Sequence, residues 1–179
     1  MRDLKRSNAL LPAYKQLAAL NVEVFTPMKW CLKVRNGKQV REHVPFIQDL
    51  LFVHDARSVI DPIVRKTPTL QYRFRKGGAY REPMVVADDD MDMFIRAVNA
   101  AATPKYYLPE EIQPSMCGRM VRIVGGPLCG YEGRLLSVRG SKAKRLLVEL
   151  PDIFTVGVEV DPEYVRLLAD GGTDGGKDA

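Results

Sequence analysis

An α+β fold in two parts is predicted for this 179-residue chain, and three observations carry the prediction. Helical and strand-like periods alternate over 1–102, as a sheet with packed helices requires. Pro104, Pro109 and Pro114 then punctuate a stretch without apolar period, which marks a linker over 103–117. Only short apolar runs between tight turns follow over 118–168, the pattern of a small β-barrel. A glycine-rich tail closes the chain over 169–179.

The elements follow in order. Leu10, Tyr14, Leu17 and Ala18 recur at helical spacing between Asn8 and Leu20, with Ser7 or Asn8 as N-cap and Pro12 tolerated in the first turn. Val22 to Phe25 alternates as a strand. Asn36-Gly37 is a strong hairpin signal. It lies among Lys29, Lys33, Arg35, Lys38 and Arg41, with no acidic residue between 29 and 41, so a basic hairpin tip is expected. Val44 to Val53 reads as one buried strand entered through Pro45, and Ser58 to Arg65 as a short helix.

Tyr72, Phe74 and Tyr80 flank Gly77-Gly78 with Arg73, Arg75 and Lys76 beside the turn, a second hairpin. A third helix is capped by Asp88 and turns Met91, Phe94, Ile95 and Val98 to one face. The barrel strands are expected near 120–124, 132–138, 145–150, 155–160 and 165–168.

Composition sets limits. The chain is 46% hydrophobic with a formal charge of +5, enough for a core in each part and compatible with nucleic acid or an acidic protein surface. Cys31, Cys117 and Cys129 form no CxxC pair, which argues against zinc and against a disulfide framework. Free thiols in a reducing cytoplasm are the expectation. No apolar run reaches membrane-spanning length and no signal-peptide core opens the chain, so a cytoplasmic protein without membrane contact is expected.

The glycine-rich stretch GRMVRIVGGPLCGYEGRLLSV raises the question of a phosphate loop. Such a loop needs GK[ST] and a helix beginning at it. Here Gly130 leads to Tyr131 and another strand, so the glycines serve tight turns between strands. His43 and His54 are the only histidines, and no serine or cysteine stands in a nucleophile motif. The run Asp88-Asp89-Asp90-Met91-Asp92 is explained by capping and the helix dipole rather than by a metal. No enzyme, cofactor, metal or small-molecule substrate is expected. The basic hairpin, in contrast, suits contact with a phosphate backbone.

These residues resemble a known family. GRMVRIVGGPLCGYEGRLLSV looks like a KOW motif, with Gly126, Pro127, Gly130 and Gly133 as its hallmark positions. A helix followed by VEVFTPM, the basic NGK hairpin and VPFIQDLLFV resembles the N-terminal domain of NusG. REPMVVADDDMDMFIRAV further resembles the NusG paralogues called UpxY, found in Bacteroides capsular polysaccharide operons. The resemblance implies a ferredoxin-type sandwich followed by an SH3-like KOW barrel. It also implies a non-enzymatic elongation and antitermination factor that rides on the clamp helices of the RNA polymerase largest subunit and suppresses pausing or termination. Its basic edge would touch non-template DNA or nascent RNA, and its barrel would recruit a protein partner of unknown identity.

Carried over by motif, the polymerase-facing residues would be Phe46, Ile47, Leu50 and Phe52, with Tyr14 and Tyr72 as weaker candidates. Lys5, Arg6, Lys15 and Arg73 would join Lys33, Arg35, Lys38 and Arg41 along the nucleic-acid edge. Two departures from the family stand out. Gln48 and Asp49 replace its Pro-Gly pair, and Met1-Arg2-Asp3-Leu4 looks like only the tail of its aromatic first strand. The first strand is therefore expected to be truncated, with the natural start lying upstream and a sheet edge left for a neighbouring chain or the tail to fill. The rival reading is a ribosomal or ribosome-assembly KOW protein that binds RNA; such proteins usually carry long lysine-rich extensions, and this tail is acidic and glycine-rich.

Overall fold

The computed structural model describes residues 1–5, 10–75, 77–137, 144–151 and 153–168. It is a mixed α/β structure of two units, Met1–Val85 and Val86–Ala179.

In the first unit a two-residue strand, β1 (Arg2–Asp3), precedes helix α1 (Ala13–Ala19). Asp3, only 7% exposed, organises this start. Its carboxylate accepts from the amide of Ala13 at 2.6 Å and from that of Lys5 at 3.0 Å. A remote carboxylate thus satisfies a donor at the positive end of a helix whose own flanking residue, Pro12, offers no side-chain cap. The expected N-caps Ser7 and Asn8 lie outside the described residues. The helix begins five residues later than predicted because Pro12 marks its edge rather than its first turn.

Strands β2 (Glu23–Phe25) and β5 (Phe52–His54) pair antiparallel, as do β3 (Met28–Arg35) and β4 (Lys38–Pro45). Helix α2 (Arg57–Lys66) leads to β6 (Leu70–Gln71), which pairs with β1. Backbone bonds from Asp3 to Asp49 and from Leu51 to Met1 carry β1 onto the segment that precedes β5. Ala13, Leu17, Val22, Leu51 and Leu70 form the buried core, with Tyr14, Val24, Val53, Ile63 and Val64 against it. The strand expected over 44–53 is divided. It ends at Pro45, a turn closes with the Leu50 amide on the Ile47 carbonyl, and the chain resumes as β5. Gln48 and Asp49 occupy that turn.

In the second unit, helix α3 (Asp88–Ala100) follows Ala87, and Asp88, Asp89 and Asp90 fill its first turn. Asp88 is therefore not the N-cap; the three carboxylates act on the dipole instead. The unit's sheet runs in the order β12–β8–β9–β10–β11–β7, where β7 is Lys105–Tyr107, β8 Cys117–Ile123, β9 Glu132–Ser137, β10 Lys144–Leu150, β11 Phe154–Val160 and β12 Val165–Leu167. Five of these match the expected barrel strands. The sixth, β7, comes from the segment expected to be a linker, where Pro109 and Pro114 each open a short 3-10 turn.

The expected barrel is not closed by the described strands. β7 occupies the outer edge of β11, so that edge does not take β12, which pairs with β8 alone. Helix α3 packs on β10 and β11 within this unit, although the sequence pattern grouped it with the N-terminal part. Phe94 meets Phe154 edge-on at 5.1 Å, and Tyr106 meets Phe154 at 5.9 Å. Tyr107, Leu136 and Leu147 form a second cluster with Ile112, Met116 and Cys117. The middle of the sheet is thereby buried on both faces, which explains why Leu146, Leu147 and Val148 are all buried in succession.

Candidate functional site

The segment after β4 holds most of the residues expected to face a partner. Phe46 anchors its start by donating its amide to the Pro27 carbonyl at 2.8 Å. Phe46 and Ile47 are half-buried in the turn, and the Lys29 ammonium lies 5.0 Å from the centre of the Phe46 ring. Phe52 stands opposite Phe25 across the β2–β5 pair, with ring centres 6.3 Å apart. Phe46, Ile47 and Phe52 therefore each keep part of their surface accessible. Leu50 is 3% exposed; the turn points its side chain inwards, and it presents no surface. Tyr14 is half-buried against the core of the first unit.

Tyr72 is held differently. Its hydroxyl donates to Asp61 of α2 at 2.7 Å, and burial together with that bond pushes the phenol up to about 12. Arg73 is drawn into an ion cluster at the turn, where Asp49 accepts from Arg2 at 2.9 Å and from Arg73 at 3.2 Å. The Nε of Arg73 is buried without a hydrogen-bond partner among the described residues. Asp49, which with Gln48 stands where a Pro-Gly pair was expected, is thus the residue that clamps Arg73 to the turn. Lys5 donates to the Leu11 carbonyl at 2.9 Å, and the Lys15 ammonium lies 6.0 Å from the Tyr14 ring. Arg6 lies outside the described residues. Lys5 and Lys15 are thus engaged around α1, and Arg73 at the turn.

The hairpin is the more informative element. Asn36 and Gly37 both take positive φ, 50° and 73°, as a type I′ turn demands. The register pairs Trp30 with His43, Leu32 with Arg41, Cys31 with Glu42 and Lys33 with Val40. Strand alternation then sorts the side chains. One face carries Lys29, Lys33, Arg35 and Lys38 around Glu42; the other carries Trp30, Leu32, Val34, Arg41 and His43. Glu42 accepts from Lys33 at 2.7 Å and from Arg35 at 2.5 Å, and the Lys33 hydrogen bond holds its carboxyl below the usual carboxylate range. The expected cluster of unopposed cations is therefore partly neutralised by Glu42, which directly follows the acid-free stretch 29–41.

On the opposite face the Trp30 and His43 rings stack at 4.6 Å with 23° between their planes, and the Arg41 guanidinium lies 4.7 Å from the Trp30 centre. Trp30 and His43 were not among the expected contact residues. Part of the signal is in the sequence: from Met28 to Val34 every even position is apolar, while Lys29 and Lys33 stand at odd ones; the register then puts Arg41 and His43 on the Trp30 face.

In the second unit, Gly126 and Gly130 take φ of 70° and 89° around a 3-10 turn in which Pro127 follows Gly126. A Cβ on Gly133 would stand 2.6 Å from the Leu147 carbonyl oxygen. These positions need glycine for turn conformation and close strand approach, and no helix starts there to bind a phosphate. A cavity of about 430 Å³ in this unit is lined by Ile112, Leu150, Phe154 and Thr155, with Glu149 as the one ionisable group among the described residues. Among the described residues no group of three metal-ligating side chains gathers, and no helix is long and apolar enough to cross a membrane.

Residues 5–95 match the family model described as Transcription termination factor nusG. The match spans the first unit from residue 5 and runs on into α3. No curated protein matches the chain.

Proposed function

From the premise that the chain belongs to the NusG family, non-enzymatic transcription elongation and antitermination factors that bind RNA polymerase, we propose that it rides on the clamp helices of the polymerase largest subunit through the Phe46–Phe52 segment. The observation that carries the reading is the accessible aromatic turn after β4. Phe46, Ile47 and Phe52 keep apolar surface open at the segment that matches the family's polymerase-facing strand. Tyr14 contributes at most a rim. Tyr72 and Leu50 act from behind, one tied to Asp61 and the other buried beneath the turn.

The β3–β4 hairpin extends the proposal to nucleic acid, with Lys33, Arg35, Lys38 and Arg41 against the non-template strand or the nascent transcript. Arg73 serves the turn through Asp49 rather than a phosphate. The β8–β9 hairpin, with Gly126, Pro127, Gly130 and Gly133, is proposed as the KOW element that recruits a further protein. The 3-10 turn and its positive-φ glycines support that reading. The resemblance around REPMVVADDDMDMFIRAV supports service in a capsular polysaccharide operon.

Binding of the intact chain to the clamp-helix segment of its host polymerase tests the central claim. A Phe46→Ala, Phe52→Ala variant that keeps the parent's circular dichroism should bind at least about tenfold more weakly, since aromatic anchors dominate such contacts. Equal binding by the two proteins would remove the polymerase reading of this segment.

A further inference from the structure

We propose that the Trp30 face of the β3–β4 ribbon is a stacking site for an unpaired base of single-stranded nucleic acid, with Arg41 and His43 framing the base and the cations of the ribbon carrying the flanking phosphates. The inference deepens the nucleic-acid part of the proposed function and rests on it. Where that part supplies only phosphate contacts, the Trp30 face supplies a contact to the base itself.

Trp30 is 53% exposed, and Leu32 and Val34 beyond it on the same strand face are 72% and 71% exposed. A large aromatic ring left open in this way on a two-stranded ribbon contributes little to folding, so its position calls for another account. Its surroundings decide what kind. Leu32 and Val34 continue an apolar strip along the strand, but the ring itself is met by an imidazole stacked at 4.6 Å and a guanidinium at 4.7 Å. Among the described residues Arg41 has no carboxylate partner, because Glu42 points to the other face and is taken by Lys33 and Arg35.

Charge points the same way. Between Met28 and Pro45 the ribbon carries Lys29, Lys33, Arg35, Lys38 and Arg41 against Glu42 alone. A flat π surface with the Arg41 cation against it, on a ribbon whose other face is cationic, fits a flat, π-faced ligand joined to anions, which is the chemistry of an unpaired nucleotide. Every base has such a face, so the site reads strandedness more than sequence.

Trp30 is the single tryptophan of the chain, so its fluorescence reports on this site and no other. The experiment titrates the intact chain at low ionic strength with oligothymidylate of about ten nucleotides. Oligouridylate and an abasic deoxyribose-phosphate chain of equal length serve as comparisons. The expected result is saturable quenching of Trp30 by both base-bearing strands and little by the abasic one; which of the two binds more tightly tells DNA from RNA. Trp30→Ala should weaken binding about tenfold without altering the slope of log affinity against log salt, whereas Lys38→Ala should lower that slope by about one. Trp30→Phe should recover most of the loss, and thermal unfolding of each variant checks that the fold is intact. Equal affinity for base-bearing and abasic strands, with unchanged emission, would overturn the stacking site while leaving phosphate contact standing. Failure to bind any of the three strands would overturn the stacking site together with the nucleic-acid reading of the hairpin, and leaves the polymerase test independent.

Discussion

The β3–β4 ribbon and the β10–β11 pair are both antiparallel hairpins, yet they use the same alternation to opposite ends. In β10–β11, Leu146 faces Val158 and Val148 faces Val156, all buried, while Leu147 is buried on the other side of the sheet. Helix α3 covers one face and the Tyr107–Leu136–Leu147 cluster fills the other. In β3–β4 no neighbouring strand among the described residues extends the pair, and Trp30, Leu32 and Val34 remain open on one face with Arg41, while the other cations line the opposite face. A hairpin packed on both sides is committed to stability. One left with two open faces is free to carry surface chemistry.

The largest expected effect separates these two roles. Phe94 is fully buried and meets Phe154 edge-on. Phe94→Ala should therefore cost about 3–5 kcal/mol, the usual toll of emptying an aromatic core position. Trp30→Ala, on the open ribbon, should stay within about 0.5 kcal/mol of the parent. Denaturant unfolding followed by far-ultraviolet circular dichroism measures both. A Trp30→Ala loss as large as that of Phe94→Ala would mean that the ribbon is part of a core after all, and the comparison would fail.

The same contrast explains what could be read in the sequence. Five of the six strands described in the second unit were legible because Val121, Ile123, Leu146 and Val156 stand in short apolar runs between turn residues. The openness of their sheet was not, because it depends on β7, a three-residue strand set among prolines whose pairing to β11 has no local signature. The place of α3 was likewise hidden: its apolar face is plain, but periodicity says that a face is buried and not against what. In the first unit the hairpin was legible from Asn36-Gly37. Its two faces became clear only with the register, which put Glu42 beside Lys33 and Trp30 beside His43. Asp3 as the remote cap of α1 lies ten residues from the amide it serves, beyond the reach of any capping pattern.

A smaller effect sharpens the comparison from the side of the tyrosines. Tyr72 ties the strand region of the first unit to α2 through Asp61, and its phenol is raised to about 12 by burial first and that hydrogen bond second. The folded state keeps this proton where the unfolded chain, with an ordinary phenol near about 10, has lost it. Its contribution is complete below about pH 10 and disappears as the pH climbs to about 12. Burial raises Tyr107 and Tyr131 in the second unit as well. Tyr72→Phe should thus flatten, without abolishing, the fall in urea midpoint between those pH values, and cost about 1 kcal/mol at neutral pH. An unchanged alkaline profile would show that Tyr72 does not hold its proton through this contact.

The smallest effect on stability is expected from Glu42, and it probes the cationic face of the ribbon. Its carboxyl is lowered chiefly by the hydrogen bond from Lys33, with the charges of Arg35 and Lys33 adding to it. A depressed carboxyl contributes above the ordinary carboxylate range and loses that contribution as the pH falls through its folded value; on an exposed surface the contribution is slight. Glu42→Gln should leave the unfolding midpoint at neutral pH essentially where it was. It also frees Lys33 and Arg35 for phosphates, so affinity for a single-stranded oligonucleotide should rise a few-fold and the salt slope should steepen by about one. Filter binding across a salt series reads both quantities. If neither changes, the phosphates do not ride on the Lys33–Arg35 face. The ribbon's grip on nucleic acid would then have to come from the Trp30 face, where Arg41 is the cation nearest the ring.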